Sequence, residues 1–252
     1  MTGTVYLVGA GPGAPDLLTL RAAELLRRAD IVFHDALVHP DTLALAERAE
    51  KIAVGKRCGR HSTAQRFINK RLIDAARRHS VVVRLKGGDP LLFGRAQEEI
   101  DALQAAGIAC DIVPGITAAL AASAAMGISM TRRGLSRNVT FVTPRFGEGE
   151  QGHDWARSVL AADTCAIYMG VGEAERIAAT LIARGANPGL PIVIVENASL
   201  PGERRFAVPL AELGDVAALC LTGPAVILLG EVYARVRQSA SAASGKPEVR
   251  TA

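Results

Sequence analysis

The chain has 252 residues, enough for one large or two modest domains, and its 49% apolar and 21% charged content is an ordinary globular balance. The net charge of +4 is spread along the chain and aromatics are only 4%, which argues against a basic DNA-binding tail and against base stacking on single-stranded RNA. The stretch ITAALAASAAMGISM (116–130) is too short and too rich in Ala, Gly and Ser to span a bilayer, and no export-type segment opens the chain. The expectation is a cytoplasmic protein with no membrane or nucleic-acid partner.

The first predicted element is the apolar strand VYLVGA (5–10), followed by a helix over 17–29 with Leu17, Leu20 and Leu25 on one face. DIVFHD (30–35) reads as a strand, 40–49 as a helix with Pro40 near its start, and KIAVGK (51–56) as a strand. A helix over 63–78 has Thr63 placed to cap it, and SVVVRLKGG (80–88) is a strand ending in glycines. A helix over 95–106 and the strand IACDIVPG (108–115) complete a set that reads as a parallel sheet covered on both faces. An Ala-rich helix over 116–126 opens a second set, with strands at 138–144, 164–170, 191–198 and 225–231 and a loop at 147–154. The expected organisation is α/β, with one domain over 1–116, a second over 117–238, and a Ser/Ala/Pro-rich, disordered tail over 239–252. Cys58, Cys110, Cys165 and Cys220 are far apart with no CxxC pair, and the five histidines show no metal-ligand spacing. Reduced thiols and no metal are expected.

Three strand ends carry chemistry. Gly9, Gly11 and Gly13 sit in GAGPGA, which fits the dinucleotide fingerprint when Ala takes its last place. Asp30 and Asp35 lie near where a ribose-binding acid would stand. Pro12 and Pro15 lack N–H groups, which leaves fewer donors for a pyrophosphate, so the ligand stays open at this point. VVVRLKGGDPLLFGR (81–95) is a second glycine-rich strand end; two such ends side by side open a crevice. Asp89, before Pro90, either caps the next segment or belongs to the site. IVPGITAAL (112–120) is the third end, with Thr117 expected in the first turn of its helix, where capping is the simpler role. Asp35 ends the second strand and Lys56 and Arg57 end the third, so an acid and a base could meet at one sheet edge and handle a proton.

Taken together, VYLVGAGPG, DLLTLRA, HDALV, VGKRCGRH, VVRLKGGDP with FGR, VPGITAA, MTRRG, VTFVT, IYMG, VENA and PAVILLGEV resemble the uroporphyrinogen-III C-methyltransferase family of tetrapyrrole methylases. The pieces occur in family order from about residue 4 to 237. The resemblance implies two α/β domains with the active site in the cleft between them, a homodimer, and S-adenosylmethionine as methyl donor rather than a nicotinamide dinucleotide. It implies methylation of uroporphyrinogen III at C2 and C7, through precorrin-1 to precorrin-2, in cobalamin or sirohaem biosynthesis. Carried over by position, Pro12, Gly87, Gly88, Asp89, Leu92, Thr117, Ala118, Met169 and Ala198 would line the donor site. Asp35 would accept a proton and Lys56 would donate one. The substrate is a polycarboxylate, for which Arg57, Arg60, Arg132 and Arg133 (with Arg137 nearby) are the candidate cations. With no dehydrogenase–chelatase segment in view, the chain is expected to methylate only.

Some positions depart from the family. The chain has Ala14 where Asp is usual, Ala36 where Arg is usual, FGRAQEE for FGRGGEE, VTPR for VTGH, Ala198 for Gly and Arg132 for His. Ala36 is expected to leave Asp35 without a neighbouring cation, and Ala198 to add a methyl near the adenine. Three alternatives stay open: a methylase of a later corrin intermediate, to which the departures could point; a non-catalytic tetrapyrrole or adenosyl-ligand binder, made conceivable by Ala36 and Ala198; and, from another class, a nicotinamide-dependent oxidoreductase, against which Pro12 and the second glycine-rich strand end stand.

Overall fold

The structure is a computed structural model describing residues 2–55, 65–146 and 152–236. It divides into two compact units, Met1–Ala118 and Ala119–Ala252.

In chain order the first unit holds β1 (Thr4–Gly9), α1 (Leu20–Arg28), β2 (Ile31–His34), α2 (Pro40–Ala44), β3 (Glu50–Ala53), α3 (Gln65–Ala76), β4 (Val81–Lys86), α4 (Ala96–Ala105) and β5 (Ala109–Val113). The strands form one wholly parallel sheet in the order β3-β2-β4-β1-β5. Successive side chains on a strand face opposite ways, so each strand feeds two cores. Val5, Leu7, Phe33 and Val82 pack with Ile68 and Leu72 of α3 and Ile100 and Leu103 of α4. Val8, Val32, Val83 and Leu85 pack with Ala22, Leu25 and Leu26 of α1 on the other face. Both faces are covered, as the continuous apolar strands require.

The helix expected from residue 17 begins later. Pro15–Leu17 forms a short 3-10 turn, and α1 opens at Leu20 because the Thr19 hydroxyl accepts the Ala22 N–H at 3.1 Å. Arg27 and Arg28 in its last turn suit the negative end of the helix dipole. The helix expected over 40–49 ends at Ala44, beyond which Leu45 and Ala46 donate to the carbonyls of Thr42 and Leu43, the tighter 3-10 spacing. The Thr63 cap lies outside the described residues.

The second unit continues with α5, whose first residue straddles the division (Ala118–Ala125), then β6 (Val139–Val142), α6 (Trp155–Leu160), β7 (Thr164–Ile167), α7 (Ala174–Ala183), β8 (Pro191–Glu196), β9 (Arg204–Pro209) and β10 (Ala225–Gly230). Its sheet runs β6-β7-β10-β8-β9 and is mixed: β6 and β7 are parallel, and β10 is antiparallel to both β7 and β8. Trp155, Ile177, Leu181, Ile194 and Ile227 fill one core, and Ala122, Met130, Val193, Leu228 and Tyr233 the other. Among the described residues no helix is long and apolar enough to cross a membrane.

Candidate active site

The C-terminal ends of β4, β1 and β5 lie side by side, and glycine allows them to close on one another. A Cβ on Gly9 would stand 2.6 Å from the backbone N and Cα of Gly115 and 2.7 Å from the Gly88 carbonyl oxygen. A Cβ on Gly115 would strike that same Gly88 oxygen. Gly11 and Gly88 form an isolated bridge in which each donates its N–H to the other's carbonyl, at 3.2 and 2.7 Å, and Ala10 N–H donates to Lys86 O at 2.7 Å. Two donors of the first turn, Ala10 and Gly11, are therefore consumed by the backbone of the second. A pyrophosphate needs free N–H groups at a helix N-terminus. Here the N–H groups of Ala10 and Gly11 are already used, Pro12 and Pro15 have none, and α1 starts only at Leu20.

Asp89 ties the second end to the third. Its Oδ1 accepts the Leu91 N–H at 2.8 Å, and its Oδ2 accepts the Gly115 N–H at 3.0 Å. The first bond is a local turn of the kind Asp makes readily; the second clamps β5's exit against β4's. The segment that follows holds two non-glycine residues in the left-handed region, Phe93 (φ 53°) and Arg95 (φ 54°), with Leu91 and Phe93 exposed. Such conformations are uncommon for bulky residues and need support from their surroundings. Leu92 is half-buried and donates its N–H to Asp89 O. By contrast, a Cβ on Gly87 or Gly88 would come no closer than 3.4 Å (Leu37 Cβ) and 3.8 Å (Thr117 Cα), ordinary van der Waals contact, so crowding does not demand glycine at this part of the floor. Thr117 is buried and stands just before α5, not inside its first turn.

Asp35 follows β2 directly. Counting by twos, Phe33 and Asp35 share the sheet face of Val82, Arg84 and Lys86, the face covered by α3 and α4. Arg84 Nη2 donates to Asp35 Oδ1 at 2.6 Å, Arg84 Nε donates to Glu99 Oε1 at 3.1 Å, and Arg84 Nη1 donates to Leu85 O at 3.2 Å. Lys86 Nζ lies 3.3 Å from both Glu99 oxygens, and Gln65 Nε2 on α3 donates to Glu99 Oε1 at 3.0 Å. Arg84, Lys86 and Glu99 are 2%, 3% and 0% exposed, whereas the Asp35 side chain is 29% exposed. Burial, and then the Arg84 charge, pull the Lys86 ammonium below its usual pKa, against the opposing effect of Glu99 and Asp35. Asp35 is thus not left without a neighbouring cation: Arg84 from the adjacent strand stands beside it.

The second unit has its own two edges. Tyr168, Met169, Asn197 and Ala198 follow the C-terminal ends of β7 and β8, and β10 begins at that same edge. Met169 combines φ 56° with 44% exposure, while Ala198 is buried in the apolar core beside α5. The Tyr168 hydroxyl accepts the Ala119 N–H at 3.1 Å. Arg132, Arg133 and Arg137 stand at the opposite edge, around an open concavity of about 570 Å³ lined also by Thr131 and Ser136. Arg132 and Ser136 pair their backbones, Ser136 Oγ contacts Thr164 Oγ1 at 2.8 Å, and Asp163 Oδ2 accepts the Arg137 and Asn138 N–H groups. That knot fixes the arginine loop to the start of β7.

The model of the tetrapyrrole (corrin/porphyrin) methylases matches residues 4–214. The chain belongs to this family. The methylase is 44% identical over 233 residues to a uroporphyrinogen-III C-methyltransferase of Pseudomonas aeruginosa, covering 92% of this chain and 95% of that one. It is 46% identical over 232 residues to a siroheme synthase of a Psychrobacter species, covering 91% of this chain but 48% of that protein; the chain spans about half the length of the siroheme synthases it matches. Among solved structures, the uroporphyrin-III C-methyltransferase of Thermus thermophilus complexed with S-adenosylhomocysteine superposes with a TM-score of 0.81 at 42% identity, over 93% of this chain and all of that one. A cobalt precorrin-4 methyltransferase superposes with a TM-score of 0.80 at 28% identity, covering 91% of this chain and 95% of that one.

The methylase thus carries Asp35, Gly87, Gly88, Asp89, Leu92 and Thr117 within one unit, around adjoining strand ends. Pro12 is half-buried in the first turn, and Ala118 opens α5. Met169 and Ala198 belong to the other unit, and Arg132 and Arg133 occupy the far edge of its sheet. Lys56, Arg57 and Arg60 lie outside the described residues. The reading of single residues missed Arg84, Lys86 and Glu99. The signal was there in the strand: two cations two residues apart in an otherwise apolar run must share one buried face and need an anion on it.

Proposed function

We propose that the chain transfers methyl groups from S-adenosylmethionine to C2 and C7 of uroporphyrinogen III, giving precorrin-2 through precorrin-1. The observation that carries this reading is the partly exposed Asp35, held by a buried guanidinium, at the same strand ends as a floor in which the Ala10, Gly11, Gly88 and Gly115 N–H groups are already engaged. Such a floor suits a compact adenosyl ligand better than a dinucleotide, because the Ala10, Gly11 and Gly88 N–H groups are not free to bind phosphate. The charges agree. Asp35 and Glu99 balance Arg84 and Lys86, so the site opposes no sulfonium with a net positive charge of its own.

When bound, the donor supplies an electrophilic methyl on a cationic sulfur. A reduced pyrrole carbon is enamine-like; it forms the new C–C bond as the S–CH₃ bond breaks, and the sulfur leaves as a neutral thioether. The macrocycle then carries the positive charge and must lose a proton. Asp35 Oδ2, which has no hydrogen-bond partner among the described residues, is placed to take it. Gly87, Gly88, Asp89, Leu92, Thr117 and Ala118 would seat the donor, so that placement of the two reactants supplies much of the rate. Pro12, Met169 and Ala198 are assigned to the donor by the family motif, as are Lys56 as proton donor and a homodimeric state. Arg132 and Arg133, with Arg57 and Arg60, are assigned to substrate carboxylates; the exposed guanidiniums of the first pair suit that task. A cytoplasmic location fits a reduced substrate and is part of the same proposal.

The test is anaerobic incubation with uroporphyrinogen III and S-adenosylmethionine, read by absorbance and mass. A product heavier by a pair of methyl groups is expected. Unchanged substrate with S-adenosylhomocysteine bound would sink the substrate assignment in favour of a later corrin intermediate. Binding of neither adenosyl compound would end the methylase reading of the site.

A further inference from the structure

Burying three charges is expensive. Each ion loses several kcal/mol of hydration, and a well-packed apolar set of the same volume is often as stable or more so. The first unit nonetheless places Arg84, Lys86 and Glu99 almost out of solvent on the α3/α4 face of its sheet, next to a carboxylate that faces solvent. Within this group the geometry has a direction. The guanidinium is planar and its donors form a rigid fork. Two prongs are fixed from behind, Nε on Glu99 and Nη1 on the Leu85 carbonyl. The third prong, Nη2, then has one place to point, and Asp35 Oδ1 is there at 2.6 Å. Glu99 cannot swing away, because Lys86 Nζ spans both its oxygens and Gln65 holds it from α3.

The charged and titratable neighbours of Asp35 among the described residues are few. Arg84 and Lys86 come from β4 and Glu99 from α4; His34, from β2 itself, contacts only the Asp35 carbonyl oxygen. The nearby cation on α3, Arg71, is spent over the Phe33 and Phe67 rings, 5.5 and 5.7 Å from their centroids. Arg84 is thus the one group among these that bonds the Asp35 side chain. We infer that Arg84, itself locked by Glu99 and Lys86, is a positioning residue for Asp35: it occupies Oδ1 and turns Oδ2 toward the reacting macrocycle. The inference rests on the proposed role of Asp35 as proton acceptor.

A positioning role differs from a structural one in where its effect is felt. Removing the clamp should cost turnover while Asp35 is present, and nothing further once Asp35 is gone. The full chain is compared as wild type, Arg84→Lys, and the charge-balanced double variant Arg84→Met/Glu99→Gln, each with Asp35 and with Asp35→Asn. Turnover of uroporphyrinogen III is followed with radiolabelled methyl donor, and S-adenosylhomocysteine affinity and thermal melting are measured alongside. With Asp35 present, the double variant should lose tenfold or more in kcat, with KM and S-adenosylhomocysteine affinity within about twofold of wild type. Arg84→Lys, which keeps the charge but loses the fork, should fall between. In the Asp35→Asn background the same changes should cost less than twofold. Equal losses in both backgrounds would make Arg84 purely structural and overturn the inference, as would unimpaired kcat in the Arg84 variants. If Asp35→Asn alone keeps full turnover, the proton-acceptor reading itself fails. Should the double variant not fold, Arg84→Lys carries the same comparison.

Discussion

Each unit holds a glutamate that is 1% exposed or less, Glu99 in the first and Glu196 in the second, and the two are used differently. Glu196, at the end of β8, accepts the N–H groups of Thr222 and Gly223 on one oxygen and Arg204 from β9 on the other. Its partners all belong to the loop before β10 and the neighbouring strand, so the charge is spent in pinning backbone. Glu99 accepts side chains alone, and the cation it holds reaches onward to an accessible carboxylate. A buried acid whose hydrogen bonds end on backbone closes a structure; one whose hydrogen bonds pass through side chains toward solvent prepares a site. The first pattern predicts effects on stability, the second effects on rate.

The largest expected effect tests the second half of that contrast. Asp35→Asn should lower kcat by roughly 10²-fold or more, the usual scale for a lost general base, with S-adenosylhomocysteine affinity and melting temperature unchanged. Loss of fold instead of rate would place the first cluster with the second. Next, Glu196→Ala should remove about 3 kcal/mol of stability, as breaking a buried pair does, in urea titration, with kcat per folded molecule intact. This loss should depend on pH. Burial alone would raise the Glu196 carboxyl, but hydrogen bonds from Arg204, Gly223 and Thr222 outweigh it and hold it below its usual range. Its contribution is therefore complete above the ordinary carboxylate pKa and fades as the pH falls through the lower folded value. Wild type and Glu196→Ala should converge in acid; a constant gap would count against the pairing.

A pair of glycine variants sharpens the same division within the first unit. Gly115→Ala drives a methyl into the Gly88 carbonyl and should cost about 2 kcal/mol, typical of overpacking, together with the donor site. Gly88→Ala makes no contact closer than 3.8 Å around the new carbon but has a left-handed backbone, φ 66°, so a smaller cost of about 1 kcal/mol is expected. Comparable losses in the two would show that conformation, not crowding, selects glycine here. The smallest effect is expected at the far edge of the second sheet. Arg132→Ala or Arg133→Ala should raise KM for the tetrapyrrole roughly three- to fivefold, the scale of an exposed ion pair, without touching S-adenosylhomocysteine affinity.

Much of the first unit was legible because its signals are local. Apolar runs broken by glycine give parallel strands, and Asp35 and Asp89 stand at strand ends where the turn chemistry itself marks them. The clamp was not legible because its members come from distant elements. Glu98 and Glu99 are adjacent and identical in the sequence, yet Glu98 pairs with exposed Arg95 while Glu99 turns inward. Which of the pair is buried depends on how α4 is rotated against the sheet. In the second unit an apolar strand reads the same in either direction, so the antiparallel insertion of β10 between β7 and β8 left no mark. β9, RRFAVP, was missed because an edge strand with one neighbour keeps its arginines half in water. The helices α6 and α7 also went unread among the more conspicuous strands.

The place of β1 in its sheet has a consequence for synthesis. It is made before both its neighbours, yet it lies inside the sheet, between β4 and β5. An apolar strand must therefore wait, unpaired, while both its neighbours are still being made. Pairing of this long-range kind is slow and leaves hydrophobic surface open to aggregation in the meantime. A nascent chain halted before β5 should be protease-sensitive along its whole exposed length, and one extended past Val113 abruptly resistant. For this protein the hazardous interval is during translation, and a holdase acting on the segment from β1 to β5 would do the most good.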